Sequence, residues 1–154
     1  MRRRESDEAL MKIALEEARK AAQQGEVPIG AVLSIGERII TKNHNRCIQL
    51  NDPTAHAEIL VLRKAGRLLK NYRLNHTNLY VTAEPCLMCA SAMIHARISR
   101  LIFGAWEKKF GAVESKFKLF KENGLNHRIE VQGGILEKKC SDLLRNFFKK
   151  KRGK

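Results

Sequence analysis

The feature that most constrains this chain is a group of residues suited to holding and using a metal ion. His56 and Glu58 stand two positions apart, and Pro85 is followed directly by Cys86 and then by Cys89. One imidazole and two thiolates provide three zinc ligands, whereas a structural zinc site is normally closed by four. Three protein ligands leave a coordination position for water, so the pattern predicts a hydrolytic site with one zinc ion per subunit and a catalytic water.

The spacing of these residues indicates a role for each. Cys86 and Cys89 are three positions apart, so they would project from one face of a helix. The positive end of a helix dipole lowers the pKa of a thiol and favours the thiolate that zinc requires. Zinc lowers the pKa of its water to about 7. Glu58 is not needed as a ligand, and we expect it to move protons between that water, the substrate ring and the leaving amine.

The cysteine pair by itself has two other interpretations. A Cys-x-x-Cys pair alone is also typical of a redox pair or of half a structural zinc site. Neither explains the His-Ala-Glu triplet at 56–58 or the proline before the first cysteine, and the complete set matches the signature of zinc nucleobase deaminases. Cys47 and Cys140 lack ligand spacing and are expected to be core thiols. The remaining histidines also lack it: His44, His76, His95 and His127.

The composition favours a globular protein. The chain has 154 residues, of which 44% are hydrophobic, which is enough to form one hydrophobic core. No long apolar run is present, and the basic start at Met1–Arg4 is followed by polar residues, not by the apolar stretch of a secretory signal. We therefore expect a single zinc-dependent deaminase domain over 1–154, with reduced cysteines, located in the cytoplasm and not in a membrane.

The formal net charge is +14, and it predicts attraction to polyanions. The basic residues are concentrated at the carboxyl end, where a helix or tail carries Lys149, Lys150, Lys151, Arg152 and Lys154 after Phe147 and Phe148. Any one basic run could equally be a solvated surface. An excess of this size on a small domain favours a nucleic acid as the partner.

The hydrophobic pattern alternates between helical and strand periods. The predicted helices cover residues 8–24, 53–65, 85–94 and 136–150, and the predicted strands cover 27–33, 38–42, 78–82, 98–103 and 128–131. Asp52 is predicted to cap the second helix with Pro53 in its first turn, and residues 43–51 are predicted to form a loop. Strands that alternate with helices predict an α/β sandwich with a mixed sheet.

At these residues the chain resembles the bacterial tRNA-specific adenosine deaminases, which convert the anticodon wobble adenosine to inosine. The resemblance extends over nearly the whole chain and includes the segments 25–31, 45–46, 52–58, 84–89, 93–95, 97–98, 126–128 and 147–148. It implies a cytidine deaminase-like fold, a three-layer α/β/α sandwich around a five-stranded mixed sheet. It also implies a homodimer whose partner is the tRNA anticodon stem-loop.

The resemblance also implies roles for residues outside the zinc signature. Asn45 matches the asparagine that contacts the target nucleoside, and Ala57 lies where a backbone N–H meets the base edge. Val27 and Pro28 match part of the pocket wall, and Phe148 corresponds to the end that contacts the anticodon loop. Two departures are present: Glu107 stands where the family usually has a ribose-contacting aspartate, and Ala83 where a bulkier aliphatic residue is common.

Two other functions remain open from the sequence. A small-molecule deaminase acting on guanine or on cytosine or cytidine would share the zinc chemistry, although it would have little use for the charge of +14. A zinc-stabilised RNA-binding module would explain the charge, but it would not need Glu58. Assaying an anticodon stem-loop and free nucleosides for deamination separates the three.

Overall fold

The computed structural model describes residues 2–153, which form a mixed five-stranded sheet with helices on both faces. The sheet order is β2-β1-β3-β4-β5, with β1 antiparallel to both neighbours and the pairs β3/β4 and β4/β5 parallel. The strands are β1 Gly30–Ile35, β2 Arg38–His44, β3 Asn78–Ala83, β4 Arg100–Ala105 and β5 Glu130–Gln132. The helices are α1 Arg3–Gln23, α2 Cys47–Leu50, α3 Ala57–Leu69, α4 Leu87–Ala96 and α5 Glu137–Arg152, with a 3-10 turn at Leu119–Lys121.

The side chains of the central strands alternate between two hydrophobic cores. Leu79 and Val81 of β3 point into a core formed with α3 and α4, whereas Tyr80 points into a second core formed with α1 and α5. Val32 of β1 and Ile102 of β4 are buried in this second core as well. The predicted three-layer α/β/α sandwich with a five-stranded mixed sheet is therefore confirmed.

The predicted starts of α3 and α4 are wrong by several residues. Asp52 does not cap α3, because its Oδ1 accepts hydrogen bonds from the backbone N–H and the hydroxyl of Thr54, both at 2.8 Å. This local turn competes with helix formation, and α3 begins only at Ala57 with His56 as its N-cap residue. Likewise, Pro85 precedes the helix; Cys86 is the N-cap residue of α4, with extended φ and ψ of −77° and 176°.

Three other boundaries also differ from prediction. The strand predicted at 27–33 lies at Gly30–Ile35, because Val27–Ile29 folds into a tight turn in which Ile29 N–H donates to Val27 O at 2.8 Å. The predicted loop at 43–51 contains the end of β2 and the short helix α2. The first helix begins at Arg3 instead of residue 8. None of the helices within 2–153 combines the length and the apolar character needed to cross a bilayer.

Candidate active site

The three predicted metal ligands come together where the amino termini of α3 and α4 meet. Nδ1 of His56 lies 3.7 Å from Sγ of Cys86 and 3.5 Å from Sγ of Cys89. His56 and Cys86 are the N-cap residues of the two helices, and Cys89 lies in the first turn of α4. Because both dipoles direct partial positive charge at the cluster, the local structure favours thiolates there.

The donor set fits a zinc ion. Zinc binds sulfur at about 2.3 Å and imidazole nitrogen at about 2.0–2.1 Å with tetrahedral angles, which places the nitrogen and sulfur atoms about 3.6 Å apart. The observed separations of 3.5 and 3.7 Å agree with that value. All three ligand atoms lie within 4.8 Å of one another, so little rearrangement is needed for binding.

Glu58 lies in the first turn of α3, two residues after His56, and its side chain is buried. Its Oε1 has no hydrogen-bond partner among residues 2–153. Burial raises the pKa of this carboxyl group to about 7, although its own backbone N–H and the nearby His56 oppose the shift. A buried carboxyl group with a free oxygen and a pKa near neutrality is suited to accepting and donating protons.

The two cysteines differ in protonation when no metal is bound. Cys89 donates its S–H to Cys86, and this bond together with His56 lowers the pKa of Cys86 to about 4, despite burial. The same shared proton, together with burial and the carboxylate of Glu58, raises the pKa of Cys89. One thiolate is therefore already present for metal binding, and the second must release its proton when a metal binds.

Asn45 and Ala57 contact each other directly. The backbone N–H of Ala57 donates to Oδ1 of Asn45 at 2.7 Å, and both residues are buried. This bond satisfies a free N–H at the start of α3 and fixes the direction of the Asn45 amide. The backbone N–H of Asn45 donates to Ile29 O at 3.1 Å, which places the turn with Val27 and Pro28 beside it.

Glu107 and Phe148 line a different cavity, of about 600 Å³, between the end of β4 and α5. Oε1 of Glu107 accepts a hydrogen bond from the backbone N–H of Lys109 at 3.0 Å. Phe148 is 41% exposed and contacts Phe147 edge-on, with ring centroids 5.4 Å apart. Basic side chains and one further aromatic ring complete the polar wall: Lys108, Lys109, Phe110, Arg145 and Arg152.

Sequence reasoning missed a buried carboxylate beside the cysteines. Glu84 is 4% exposed and accepts hydrogen bonds from the segment 107–115. These bonds outweigh the effect of burial and hold its pKa below the ordinary value. The available signal was a glutamate placed directly after an apolar strand, where a carboxylate is rarely buried unless it is hydrogen-bonded.

Sequence comparison identifies close relatives of this chain. The family model described as MafB19-like deaminase matches residues 5–152. A tRNA-specific adenosine deaminase of Haemophilus influenzae is 50% identical over 151 residues, covering 97% of this chain and 87% of the relative. A tRNA-specific adenosine deaminase of Bacillus subtilis is 44% identical over 148 residues, covering 96% of this chain and 92% of the relative.

Solved structures extend this similarity to the fold. A structure from a study of A-to-I editing by tRNA:A34 deaminases at the wobble position superposes with a TM-score of 0.86 and 47% identity, covering 88% of this chain and 99% of that one. A guanine deaminase from Nitrosomonas europaea superposes with a TM-score of 0.80 and 27% identity, covering 91% and 83%. Identity of 44–50% over nearly the full length, together with the fold, shows that this chain belongs to the tRNA-specific adenosine deaminase family.

Proposed function

We propose that this protein hydrolytically deaminates adenosine to inosine at the wobble position of tRNA anticodons. The observation that carries the proposal is the convergence of His56, Cys86 and Cys89 beside the buried, partnerless carboxylate oxygen of Glu58. This arrangement occurs in a chain that is 50% identical to a tRNA-specific adenosine deaminase. A structural metal site would not need such a carboxylate.

The chemistry is divided between the ligands and Glu58. His56, Cys86 and Cys89 would hold one zinc ion per subunit. When bound, the zinc supplies Lewis acidity that makes hydroxide available near neutral pH. Glu58 takes a proton from the catalytic water, delivers it to the ring nitrogen next to the reacting carbon, and then protonates the leaving amine. A pKa of about 7 allows the carboxyl group both to accept and to release the proton.

Asn45 is the proposed contact for the target nucleoside. Its Oδ1 is already occupied by Ala57 N–H, so the amide N–H₂ is the group left to donate to the substrate. We accordingly revise the expected role of Ala57: its backbone N–H positions Asn45 and is not free to bind the base edge. Val27 and Pro28 lie beside Asn45 and supply apolar surface for the base.

The cavity that contains Glu107 and Phe148 is the proposed site for anticodon-loop nucleotides. Its basic side chains can pair with phosphates, and its exposed aromatic rings can stack on unpaired bases. Glu107 can accept a hydrogen bond from a ribose 2′-hydroxyl. Lys149, Lys150 and Lys151 extend the basic surface along the last turns of α5, and Lys154 lies outside the described residues.

We further propose that the protein is a homodimer of single domains in the cytoplasm. A cleft of about 600 Å³ between α3 and α4 is lined mainly by apolar surface and includes Tyr72, which is 78% exposed. Apolar surface of this kind commonly marks a protein interface. Light scattering coupled to gel filtration should give twice the monomer mass.

A small-molecule deaminase is the second candidate, favoured by the likeness to the Nitrosomonas europaea guanine deaminase at a TM-score of 0.80. Its zinc chemistry would be the same. The net charge of +14 and the basic cavity beside α5 support an RNA substrate instead.

One assay separates the candidates. The zinc-loaded protein is incubated with an anticodon stem-loop carrying adenosine at the wobble position, and separately with free adenosine, guanine and cytidine. We expect inosine in the stem-loop and little turnover of the free compounds. Rapid turnover of guanine or cytidine with no inosine in the RNA would contradict the proposal.

A further inference from the structure

The buried carboxylate of Glu84 is surrounded by hydrogen-bond donors from a single loop. Its Oε2 accepts the backbone N–H groups of Val113, Glu114 and Ser115 at 3.2, 2.8 and 2.9 Å. Its Oε1 accepts the backbone N–H of Glu107 at 3.1 Å and the hydroxyl of Ser115. One side chain therefore provides acceptors for four backbone N–H groups and one hydroxyl.

These donors belong to residues 106–118, between β4 and the 3-10 turn, which we call the 106–118 loop. The loop has no regular secondary structure of its own, so its backbone N–H groups must find other partners. It carries Glu107, Lys108 and Lys109 into the cavity that also contains Phe148. The position of these side chains consequently depends on how the loop is anchored.

Gly111 shows how closely the loop approaches this carboxylate. A Cβ atom at Gly111 would lie 2.5 Å from Cδ of Glu84 and 2.4 Å from the carbonyl oxygen of Glu107. No side chain fits in that space without displacing the loop or the carboxylate. The absence of a side chain at 111 therefore permits the contact.

Glu84 also lies at the junction between the loop and the cysteine segment. Its own N–H donates to Ala105 O at 2.8 Å, which joins the ends of β3 and β4. The backbone N–H of Ala112 donates to Pro85 O at 2.8 Å, so the loop is bonded to the residue directly before Cys86. The loop is thus fixed relative to the metal ligands at two adjacent positions.

We propose that Glu84 is a positioning residue for RNA: it holds the 106–118 loop so that Glu107, Lys108 and Lys109 face the substrate while it takes no part in proton transfer. This inference rests on the proposed function for the identity of the substrate. The loop anchor itself can be measured without any RNA.

Glu84→Gln is the informative variant because it keeps the size of the side chain. A carboxylate only accepts hydrogen bonds, whereas an amide N–H₂ only donates, so the amide would face donors from the loop with no acceptor to offer them. Ser115→Ala is the matched control, since it removes one donor and leaves the four backbone bonds in place. Glu26→Gln is a second control, because Glu26 accepts the N–H groups of Ile48 and Gln49 in a different loop.

The first measurement is hydrogen exchange of the zinc-loaded protein without RNA. In Glu84→Gln, peptides covering 107–115 should exchange about tenfold faster or more, because hydrogen bonds to a charged acceptor are removed. Ser115→Ala should change them less, and Glu26→Gln should accelerate exchange at 48–49 only. If Glu84→Gln does not fold, Glu84→Asp, which keeps the charge on a shorter chain, should give a smaller acceleration in the same peptides. Unchanged exchange at 107–115 in the folded variant would overturn the proposal.

The second measurement is the kinetics of stem-loop deamination. Glu84→Gln should raise KM about tenfold and leave kcat within about threefold, with the zinc content unchanged. A fall in kcat with an unchanged KM, or loss of zinc, would show that Glu84 acts on the cysteine segment, and would overturn the proposal. Failure of the wild-type protein to deaminate RNA would contradict the proposed function instead, and the exchange result would still decide whether Glu84 anchors the loop.

Discussion

The metal-ligand cluster and the basic cavity beside α5 are held in place by different means. The cluster is fixed by backbone structure, since His56 and Cys86 are the N-cap residues of α3 and α4. The cavity is formed by exposed side chains of α5 and of the 106–118 loop, and that loop is anchored by the carboxylate of one residue, Glu84. The geometry of the cluster therefore follows from secondary structure, whereas that of the cavity follows from a tertiary contact.

This difference predicts two patterns of response to mutation. Three ligands leave no redundancy at the cluster, so loss of one should abolish metal binding and activity together. The cavity combines several charges and aromatic rings, so each change there should weaken RNA binding by a limited factor that depends on salt.

Cys86→Ala should give the largest effect. We expect the zinc content to fall from about one ion per chain to nearly none, and inosine formation to fall to background. Cys47→Ala is the matched control, because Cys47 is a half-buried free thiol outside the cluster. Metal analysis and the stem-loop assay on both variants test the prediction, and an active, zinc-loaded Cys86→Ala protein would refute it.

The burial of Glu58 should be visible in the stability of the metal-free protein. Its pKa is raised from 4.5 to about 7, so the folded state holds this proton more tightly than the unfolded chain does. The free energy of unfolding should therefore be highest below pH 4.5 and decline as the pH rises towards 7. Glu58→Gln removes this decline and should be more stable than wild type at pH 8 by about 3 kcal/mol.

Urea unfolding of the metal-free proteins between pH 4 and 8 measures this difference. Glu122→Gln, at an exposed glutamate, is the control and should follow the wild-type profile. If the wild-type and Glu58→Gln profiles are parallel across this range, Glu58 is not protonated by burial in the folded state.

Removal of residues 149–154 should weaken RNA binding without affecting the cluster. The affinity for the stem-loop should fall by about tenfold or more at low salt, and the salt dependence should flatten by roughly one unit of slope for each phosphate that the shortened chain no longer binds. Zinc content should be unchanged. Lys12→Ala combined with Lys42→Ala is a control that removes exposed charge elsewhere, on α1 and β2. Equal salt slopes for the truncated and full-length chains would mean that the basic end is only a solvated surface.

Glu107→Gln should give the smallest effect. The amide oxygen of glutamine can still accept the hydrogen bond from Lys109 N–H, so the loop should keep its shape. Loss of the charge should reduce the preference for a ribose over a deoxyribose target by a few-fold, about the contribution of one hydrogen bond. Identical RNA-to-DNA rate ratios for wild type and variant would place this discrimination elsewhere, for example at Asn45.

The same difference explains how much the sequence could predict. His56, Cys86 and Cys89 are grouped in the structure because their spacing and the adjacent helices are local properties, and the order of strands and helices was sufficient to predict the sandwich. The helix starts were misplaced because Asp52 forms a turn with Thr54 instead of a cap. The role of Glu84 could not be predicted, because its donors lie 23 to 31 residues away and meet it only in the folded chain.

The central claim is that Glu58 moves protons at a site whose metal is held by other residues. The most direct test measures zinc content and stem-loop deamination in Glu58→Ala beside wild type. We predict about one zinc ion per chain in both proteins and a rate about 10²–10⁴-fold lower in the variant. Loss of zinc from Glu58→Ala, or deamination at the wild-type rate, would contradict the account.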